Sequence, residues 1–316
     1  MDRAIVERVA EEQFGAPVTA VRHLPSSVCE VFLVSSGERQ MVARFNVVTE
    51  LDRFRKEAWC IDRAARAGVP GPQVLAVGTE GQYAFMVESY VAGRRGDSLP
   101  ADAQGTMWRD VGVYLRRIHA TPVGGFGEER ADLSDDDDNM GWTRYLDYNR
   151  SALTPRDPLL ELKALDPEQQ AVLRHTFDGL ARLPVRFGLC HGDPSPWNVI
   201  RGDDGVLRLI DWGEAHAHVV PHFDLGVILD GRLDDQTSAF QELLAGYGLD
   251  RAGYDAIRAE VFALRLLIAT DKVRWAIERK PERLSAKVEI LRSLLGERVD
   301  GAARDARSRL PEGHAR

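Results

Sequence analysis

The stretch from Leu189 to Ile200, "LCHGDPSPWNVI", decides the reading of the chain. Asp193 stands five residues before Asn198, a His-Gly step precedes it, and two prolines stiffen the interval. Thirteen residues after the Asn, "LRLIDWGEA" supplies a further Asp, Asp211. Taken singly, each is an ordinary turn former, because Asp and Asn close turns through their own side chains. Taken together they offer the hard oxygen donors that Mg2+ prefers. That ion needs only one or two protein carboxylates beside phosphate oxygens and water. Asn198 and Asp211 then suit the metal, and Asp193 is left to orient or deprotonate an attacking hydroxyl. Between them "IRGDDGVLRLIDW" carries a hairpin signal, which folds the two metal ligands back beside each other.

Upstream, apolar periodicity predicts a helix over Arg3 to Phe14. Strands are expected at Val18–Leu24, Glu30–Val34, Gln40–Phe45, Gln73–Gly78 and Tyr83–Glu88, with "SSGER" as a hairpin turn. Thr49 is the expected cap of a helix that reaches Ala67 and stops at Gly68, ahead of Pro70 and Pro72. The result is a five-stranded, mostly antiparallel sheet with one inserted helix. The Gly-rich stretch "ESYVAGRRGDSLP" reads as a linker. Beyond it helices dominate. "TMWRDVGVYLRRIHA" repeats Met107, Val111, Leu115 and Ile118 at helical spacing, and a second helix is expected over Asp166–Leu183. "VFALRLLIATDKVRWAI" is apolar on more than one face, as a central buried helix would be. The only strands expected in this half flank the hairpin, and the tail after Arg298 is expected to fray.

A sheet-rich half, a hinge, a helical half and then a catalytic Asp-Asn loop give the order of elements of a kinase. Through "HGDPSPWN" (191–198), "IDWGEA" (210–215) and "HFDLG" (222–226), the chain resembles the aminoglycoside phosphotransferase family, within the protein-kinase-like fold that also holds choline kinases. The resemblance spans about Val18 to Trp275. It implies an α+β, two-lobed fold, with residues 1–92 as nucleotide-binding lobe and 93–316 as a mainly helical lobe carrying the catalytic loop and substrate site. It also implies Asp193 as the catalytic residue, Asn198 and Asp211 as Mg2+ ligands, and His191 and Asp224 as structural support of the loop. In "MVARFN" Arg44 is the implied phosphate-binding cation, braced by Glu57 of "RFRKEAWCIDRAARAGVP". The hinge "MVESYVAG" implies backbone contacts to adenine at Ser89 and Val91, and "PSSVCEV" a phosphate loop with Ser26 and Ser27. The best-known members carry Lys where this chain has Arg44, which keeps the charge with a different reach. No G-x-G-x-x-G is present, which favours the small-molecule branch over protein kinases.

The expected activity is transfer of the γ-phosphoryl group of ATP, or of GTP, to a hydroxyl of a small molecule, with an antibiotic such as an aminoglycoside as the leading acceptor. A metabolic amino alcohol or sugar is the alternative acceptor, and a nucleotide-binding pseudokinase the alternative role. Several residues admit two readings. Trp197 either stacks on substrate or packs in the core. Glu214 either touches a cationic substrate or is a solvated turn residue. Asp135 and Asp136, in "LSDDDDNMGW", either receive a cation or belong to a solvated charge run. His119 reads as a satisfied core histidine. "EAHAHVVPHFD" sets His216, His218 and His222 near Asp211 and Asp224, which keeps a zinc hydrolase in view, although no H-E-x-x-H pattern is present.

Composition narrows the partners. The net charge of -8 over 316 residues argues against a nucleic-acid binder and is compatible with a cationic small molecule. Three scattered cysteines give neither a disulfide framework nor a zinc spacing. No stretch approaches the ~20 apolar residues of a membrane span, and the N-terminus lacks the apolar centre of a signal peptide. A cytoplasmic protein, monomer or homodimer, is expected.

Overall fold

The computed structural model describes residues 1–26, 28–127 and 139–308. In chain order its elements are α1 (Arg3–Phe14), β1 (Ala20–Leu24), β2 (Glu30–Ser36), β3 (Arg39–Val47), α2 (Leu51–Arg66), β4 (Val74–Glu80), β5 (Tyr83–Ser89), β6 (Arg94–Arg95), α3 (Ala101–His119), α4 (Asn139–Ser151), α5 (Pro158–Glu161), α6 (Pro167–Leu180), β7 (Phe187–Cys190), β8 (Val199–Arg201), β9 (Leu207–Leu209), β10 (His216–Val219), α7 (His222–Leu229), α8 (Ser238–Tyr247), α9 (Arg251–Arg279) and α10 (Leu284–Ser308). Residue contacts divide the chain into two compact units. One comprises Met1–Asn139 and Val185–Ala256, the other Met140–Pro184 and Ile257–Arg316.

The five expected strands form one sheet in the order β1-β2-β3-β5-β4, every pair antiparallel. Alternation along β3 explains what the sheet does. Met41, Ala43 and Phe45 point to one face and are buried against Val6, Val9, Ala10 and Phe14 of α1. Successive side chains of a strand face opposite ways, so Arg44 emerges on the other face, clear of that core. Asp2 caps α1 by accepting the N–H of Ala4. Thr49 does not cap α2, contrary to expectation. The chain first makes a 3-10 turn over Val48–Glu50, which places Thr49 inside the turn and starts the helix at Leu51.

The loop that carries Asp193 is placed by short strands: β8 and β9 are those expected to flank the hairpin, while β6, β7 and β10 have no counterpart in the sequence expectations. β7 pairs with β10, and β8 lies between β6 and β9. Strands of two to four residues are too short for an alternating pattern to show. In α3, Met107, Val111, Leu115 and Ile118 are all fully buried. That helix meets α8 backbone to backbone. A Cβ on Gly112 would stand 2.1 Å from the carbonyl oxygen of Leu243, and one on Gly246 2.0 Å from that of Arg109.

In the second unit α6 starts on a capping box, with Asp166 and Gln169 each bonding the other's backbone N–H. The "VFALRLLIATDKVRWAI" stretch lies within α9, where Val261, Leu264, Leu267, Val273 and Ala276 are buried. Arg274 grips Asp157 with two hydrogen bonds, at 3.0 and 2.8 Å, and both side chains are buried. The helix α10 runs to Ser308, and residues 309–316 of the tail expected to fray lie outside the described residues. Among the described residues no helix is long and apolar enough to cross a membrane.

Candidate active site

Asp193 lies in the loop between β7 and β8, Asp211 just beyond β9, and Asp224 in α7. The β8–β9 hairpin does what the DDG turn promised. Ile210 donates its N–H to the carbonyl of Asn198 at 2.9 Å, so Asn198 and Asp211 are held on adjacent strand ends.

Asp224 organises the loop from beneath. It is fully buried, and its two oxygens accept the backbone N–H groups of His191 at 3.0 Å and Gly192 at 2.9 Å. His119 Nε2 adds a third bond at 2.9 Å, while His119 Nδ1 meets the Tyr247 hydroxyl at 3.0 Å. Burial alone would raise the Asp224 carboxyl. The bonds and charge of His119, with His191 and the Gly192 N–H, outweigh it and hold the group below the usual carboxylate range. His191 is also buried. Its Nε2 donates to the Ile210 carbonyl at 3.2 Å and its Nδ1 accepts the Asp193 N–H at 3.3 Å. Burial lowers its pKa against the pull of Asp224, Asp211 and Asp193, and the neutral ring protonated on Nε2 satisfies both bonds.

Gly192 sits at φ +84, and a Cβ there would stand 2.2 Å from the Glu214 carbonyl oxygen. Gly192→Ala therefore combines a left-handed conformation costing about 1–2 kcal/mol with a backbone clash. The variant is expected to melt well below the wild type, a loss that differential scanning fluorimetry reads directly.

Asp193 is held on both carboxylate oxygens. Oδ2 accepts from Asn198 Nδ2 at 3.0 Å, and Oδ1 accepts a short bond from the Ser195 hydroxyl and one from Arg232 Nη2 at 3.3 Å. Asn198 Nδ2 also reaches the Asp193 carbonyl at 3.0 Å. The amide nitrogen is thus spent on Asp193, and Oδ1 is the atom Asn198 can offer a cation. The Asp211 side chain is more than half exposed, at φ +60, with Arg44 Nη2 4.0 Å from its Oδ1. An amide oxygen and an exposed carboxylate on adjacent strand ends are a donor set that fits Mg2+.

Arg44 and Glu57 form a short, buried ion pair, with Glu57 only 1% and Arg44 12% exposed. The guanidinium also lies 5.7 Å from the centre of the Phe54 ring. Burial pushes the Glu57 carboxyl up and the charge of Arg44 opposes it. Beside them Glu88 keeps part of its surface open, but burial of its carboxyl, opposed by Arg44, pushes it up to about 8. Sequence reading passed over Glu88, although it adjoins the hinge residue Ser89.

The remaining expected residues are dispersed. Ser26 accepts the N–H groups of Val28 and Cys29 at 3.3 and 3.4 Å and so shapes its own turn. Ser89 gives its N–H to the Gln73 carbonyl at 2.8 Å, which removes that N–H from any contact with adenine. Val91 follows β5 in an irregular segment. Glu214 is engaged by Arg53 at 3.0 Å. Trp197 is 41% exposed and has the Arg232 guanidinium 4.6 Å over its ring, so it is not a core residue. Ser27, Asp135 and Asp136 lie outside the described residues. Four contributors escaped sequence reading besides Glu88: Ser195, Arg232, Tyr247 and the bracing role of His119. Ser195, inside the opening motif, and His119, expected as a satisfied core histidine and buried with both ring nitrogens bonded, carried a signal.

His216 and His218 of the histidine-rich stretch are buried and pack as aromatic rings. His218 stacks on Phe223 at 4.1 Å and His216 meets the same ring edge-on at 4.8 Å. Among the described residues, the one group spaced to hold a metal through His, Cys or carboxylate atoms is His119, Cys190 and Asp224. Its His and Asp already bond each other. Burial, with His216 and His222 nearby, holds His218 well below its ordinary pKa. The folded chain keeps this ring neutral, while the unfolded chain takes up a proton below pH ~6.5. Stability should therefore fall as pH drops through that value. His218→Phe should lose less stability than the wild type over the same interval, as urea midpoints between neutral pH and mild acid would show.

A sheet with a basic residue on β3, an acidic brace on α2, and an Asp-Asn loop followed by a strand-borne Asp define a kinase-like phosphotransferase fold. The solved structures agree. The GDP complex of wild-type aminoglycoside 2'-phosphotransferase-IIIa superimposes with a TM-score of 0.72 at 18% identity, over 94% of this chain and 100% of that one. The GDP and kanamycin complex of APH(2")-IIia gives 0.69 at 19% identity, over 92% and 98%. A thermostable mutant of aminoglycoside phosphotransferase APH(4)-Ia, in ternary complex with ADP and hygromycin B, gives 0.65 at 19%, over 92% and 97%. A sequence search of curated proteins returns no match. The family model described as "Phosphotransferase enzyme family" matches residues 26–259, and the chain belongs to that family. The resemblance read from the sequence, the α+β kinase-like fold and the reading as an enzyme are borne out.

Proposed function

We propose that this chain is a small-molecule kinase that transfers the γ-phosphoryl group of ATP, or of GTP, to a hydroxyl. The observation that carries the reading is the juxtaposition of Asp193, Asn198 and Asp211, with the buried Arg44–Glu57 pair reaching to 4.0 Å from Asp211. Asp193 accepts a hydrogen bond from the acceptor hydroxyl and takes its proton. The hydroxyl oxygen forms the new bond to the γ-phosphorus as the bond to the bridging oxygen breaks, and the nucleoside diphosphate leaves. Arg44, held by Glu57, neutralises phosphate charge. Asn198 Oδ1 and Asp211 would hold Mg2+, which would supply positive charge against the nucleotide phosphates. Most of the rate enhancement then comes from positioning and electrostatics. In this reading residues 1–92 serve the nucleotide and residues 93–316 the acceptor, in the cytoplasm, as monomer or homodimer.

Hygromycin B and kanamycin occur in the solved neighbours, which supports an aminoglycoside as the leading acceptor. One observation favours a less highly charged acceptor, a metabolic amino alcohol or sugar. Arg232 flanks Asp193, and Glu214 is already engaged by Arg53. Arg44, in the place where the best-known members carry Lys, favours the nucleotide-binding pseudokinase. A nucleotide-consumption screen separates these readings. ATP and GTP are each supplied with Mg2+ and panels of aminoglycosides, amino alcohols and sugars. At least one compound should raise turnover and be recovered as its phosphate ester. Nucleotide binding with no turnover across every panel selects the pseudokinase.

A further inference from the structure

Arg232 follows α7 and is not part of any motif the sequence displays. Its guanidinium is fixed at four points. Nη1 donates to the Asp230 carbonyl at 3.0 Å, Nε to the Ser195 hydroxyl at 3.2 Å, and Nη2 to Asp193 Oδ1 at 3.3 Å. The central carbon of the guanidinium lies over the Trp197 ring, 4.6 Å from the ring centre. Ser195, the shared partner, is fully buried and bonds the same Asp193 oxygen. An ion pair between two solvated side chains is worth little. Here both side chains are about three-quarters buried, 26% and 27% exposed, and the cation is positioned by a backbone carbonyl and an aromatic face as well.

A carboxylate offers about four lone-pair positions. On Asp193 Oδ1 takes Ser195 and Arg232, and Oδ2 takes Asn198. One position is left, on Oδ2. We propose that Arg232 is a positioning residue for the phosphoryl transfer: with Ser195 it locks the Asp193 carboxylate so that its remaining lone pair faces the acceptor hydroxyl, and Trp197 holds the guanidinium in place. The inference rests on Asp193 being the residue that receives the hydroxyl proton. It also explains why Trp197 stays exposed inside the catalytic loop, where its ring serves Arg232. Lysine cannot replace the fork, because one ammonium cannot reach Ser195 and Asp193 in the same plane while stacking on the ring.

The test compares wild type, Arg232→Ala, Arg232→Lys and Asp193→Ala, using Mg2+ with ATP or GTP and the acceptors kanamycin, hygromycin B and water. Thermal melts check that each variant is folded. In Arg232→Ala, kcat should fall about 100-fold, the scale of a misplaced catalytic group. The nucleotide KM should stay within about twofold, because ground-state binding is untouched. Arg232→Lys should recover part of the loss in kcat. Arg232→Ala with wild-type kcat, beside an inactive Asp193→Ala, overturns the inference and leaves the kinase reading standing. Full activity in Asp193→Ala removes the assignment of the base itself. A crystal structure of Arg232→Ala gives a readout independent of turnover. The Asp193 carboxylate should rotate away from Ser195, and an Asp193 side chain in its wild-type position overturns the inference whatever the kinetics.

Discussion

Asp193→Ala is expected to lower kcat by about 10²–10⁴-fold, the range general-base catalysis supplies, while nucleotide affinity is kept. The separation follows from what the side chain touches. Its partners are Ser195, Asn198 and Arg232, and among the described contacts none belongs to the Arg44–Glu57 pair. Asp193→Asn is the sharper variant. The amide keeps the volume but turns one oxygen acceptor into a donor, opposing the hydrogen bond from either Asn198 or Arg232. It should therefore lose at least as much activity as the alanine variant despite its closer shape. Steady-state kinetics, with nucleotide binding followed by calorimetry, check both halves of the expectation. Equal losses in binding and turnover would place Asp193 in nucleotide recognition instead.

Glu57→Ala is expected to be the most damaging change to stability, on the order of 3–5 kcal/mol, the cost of leaving one member of a buried ion pair alone. The Arg44 guanidinium would keep its charge with 12% of its surface exposed and its nearest counter-ion gone. Glu88 and Asp211 remain nearby, so the cation has two substitutes, and either of them pulls it off its present line. Loss of stability should thus be accompanied by a rise in nucleotide KM. Glu57→Gln, which keeps a hydrogen-bond acceptor for Arg44, should recover more of the stability than of the nucleotide affinity. Denaturant midpoints and KM values for the two variants resolve these effects. A Glu57→Ala chain as stable as the wild type would mean that Arg44 is already balanced without its helical partner.

The sheet was legible because its strands are five to nine residues long and bounded by turn signals, and β3 alternates cleanly, with Met41, Ala43 and Phe45 inward and Arg44 outward. The motif residues were legible because a spacing of five residues between an Asp and an Asn, followed by a hairpin, has few other uses. What escaped reading lies far off in the sequence. His119 and Tyr247 end two helices separated by more than a hundred residues, and only folding brings them to Asp224. Arg232 stands in a connection without periodicity, and its role appears only once Trp197 and Asp193 are beside it. Thr49 shows the opposite failure. It satisfied a local capping rule, but the backbone spent one extra turn before the helix began.

The close meeting of α3 and α8 at Gly112 and Gly246 reaches further than packing. The last residue of each helix, His119 and Tyr247, belongs to the chain of bonds that ends on the backbone of His191 and Gly192. The two glycines therefore act as a spacer that calibrates the height of the loop carrying Asp193. Random mutagenesis scored by phosphoryl transfer should recover inactive variants at this helix crossing, which contributes no side chain to the Asp193, Asn198 and Asp211 set. Attempts to harden the protein by adding alanines to helices would need to leave that crossing alone.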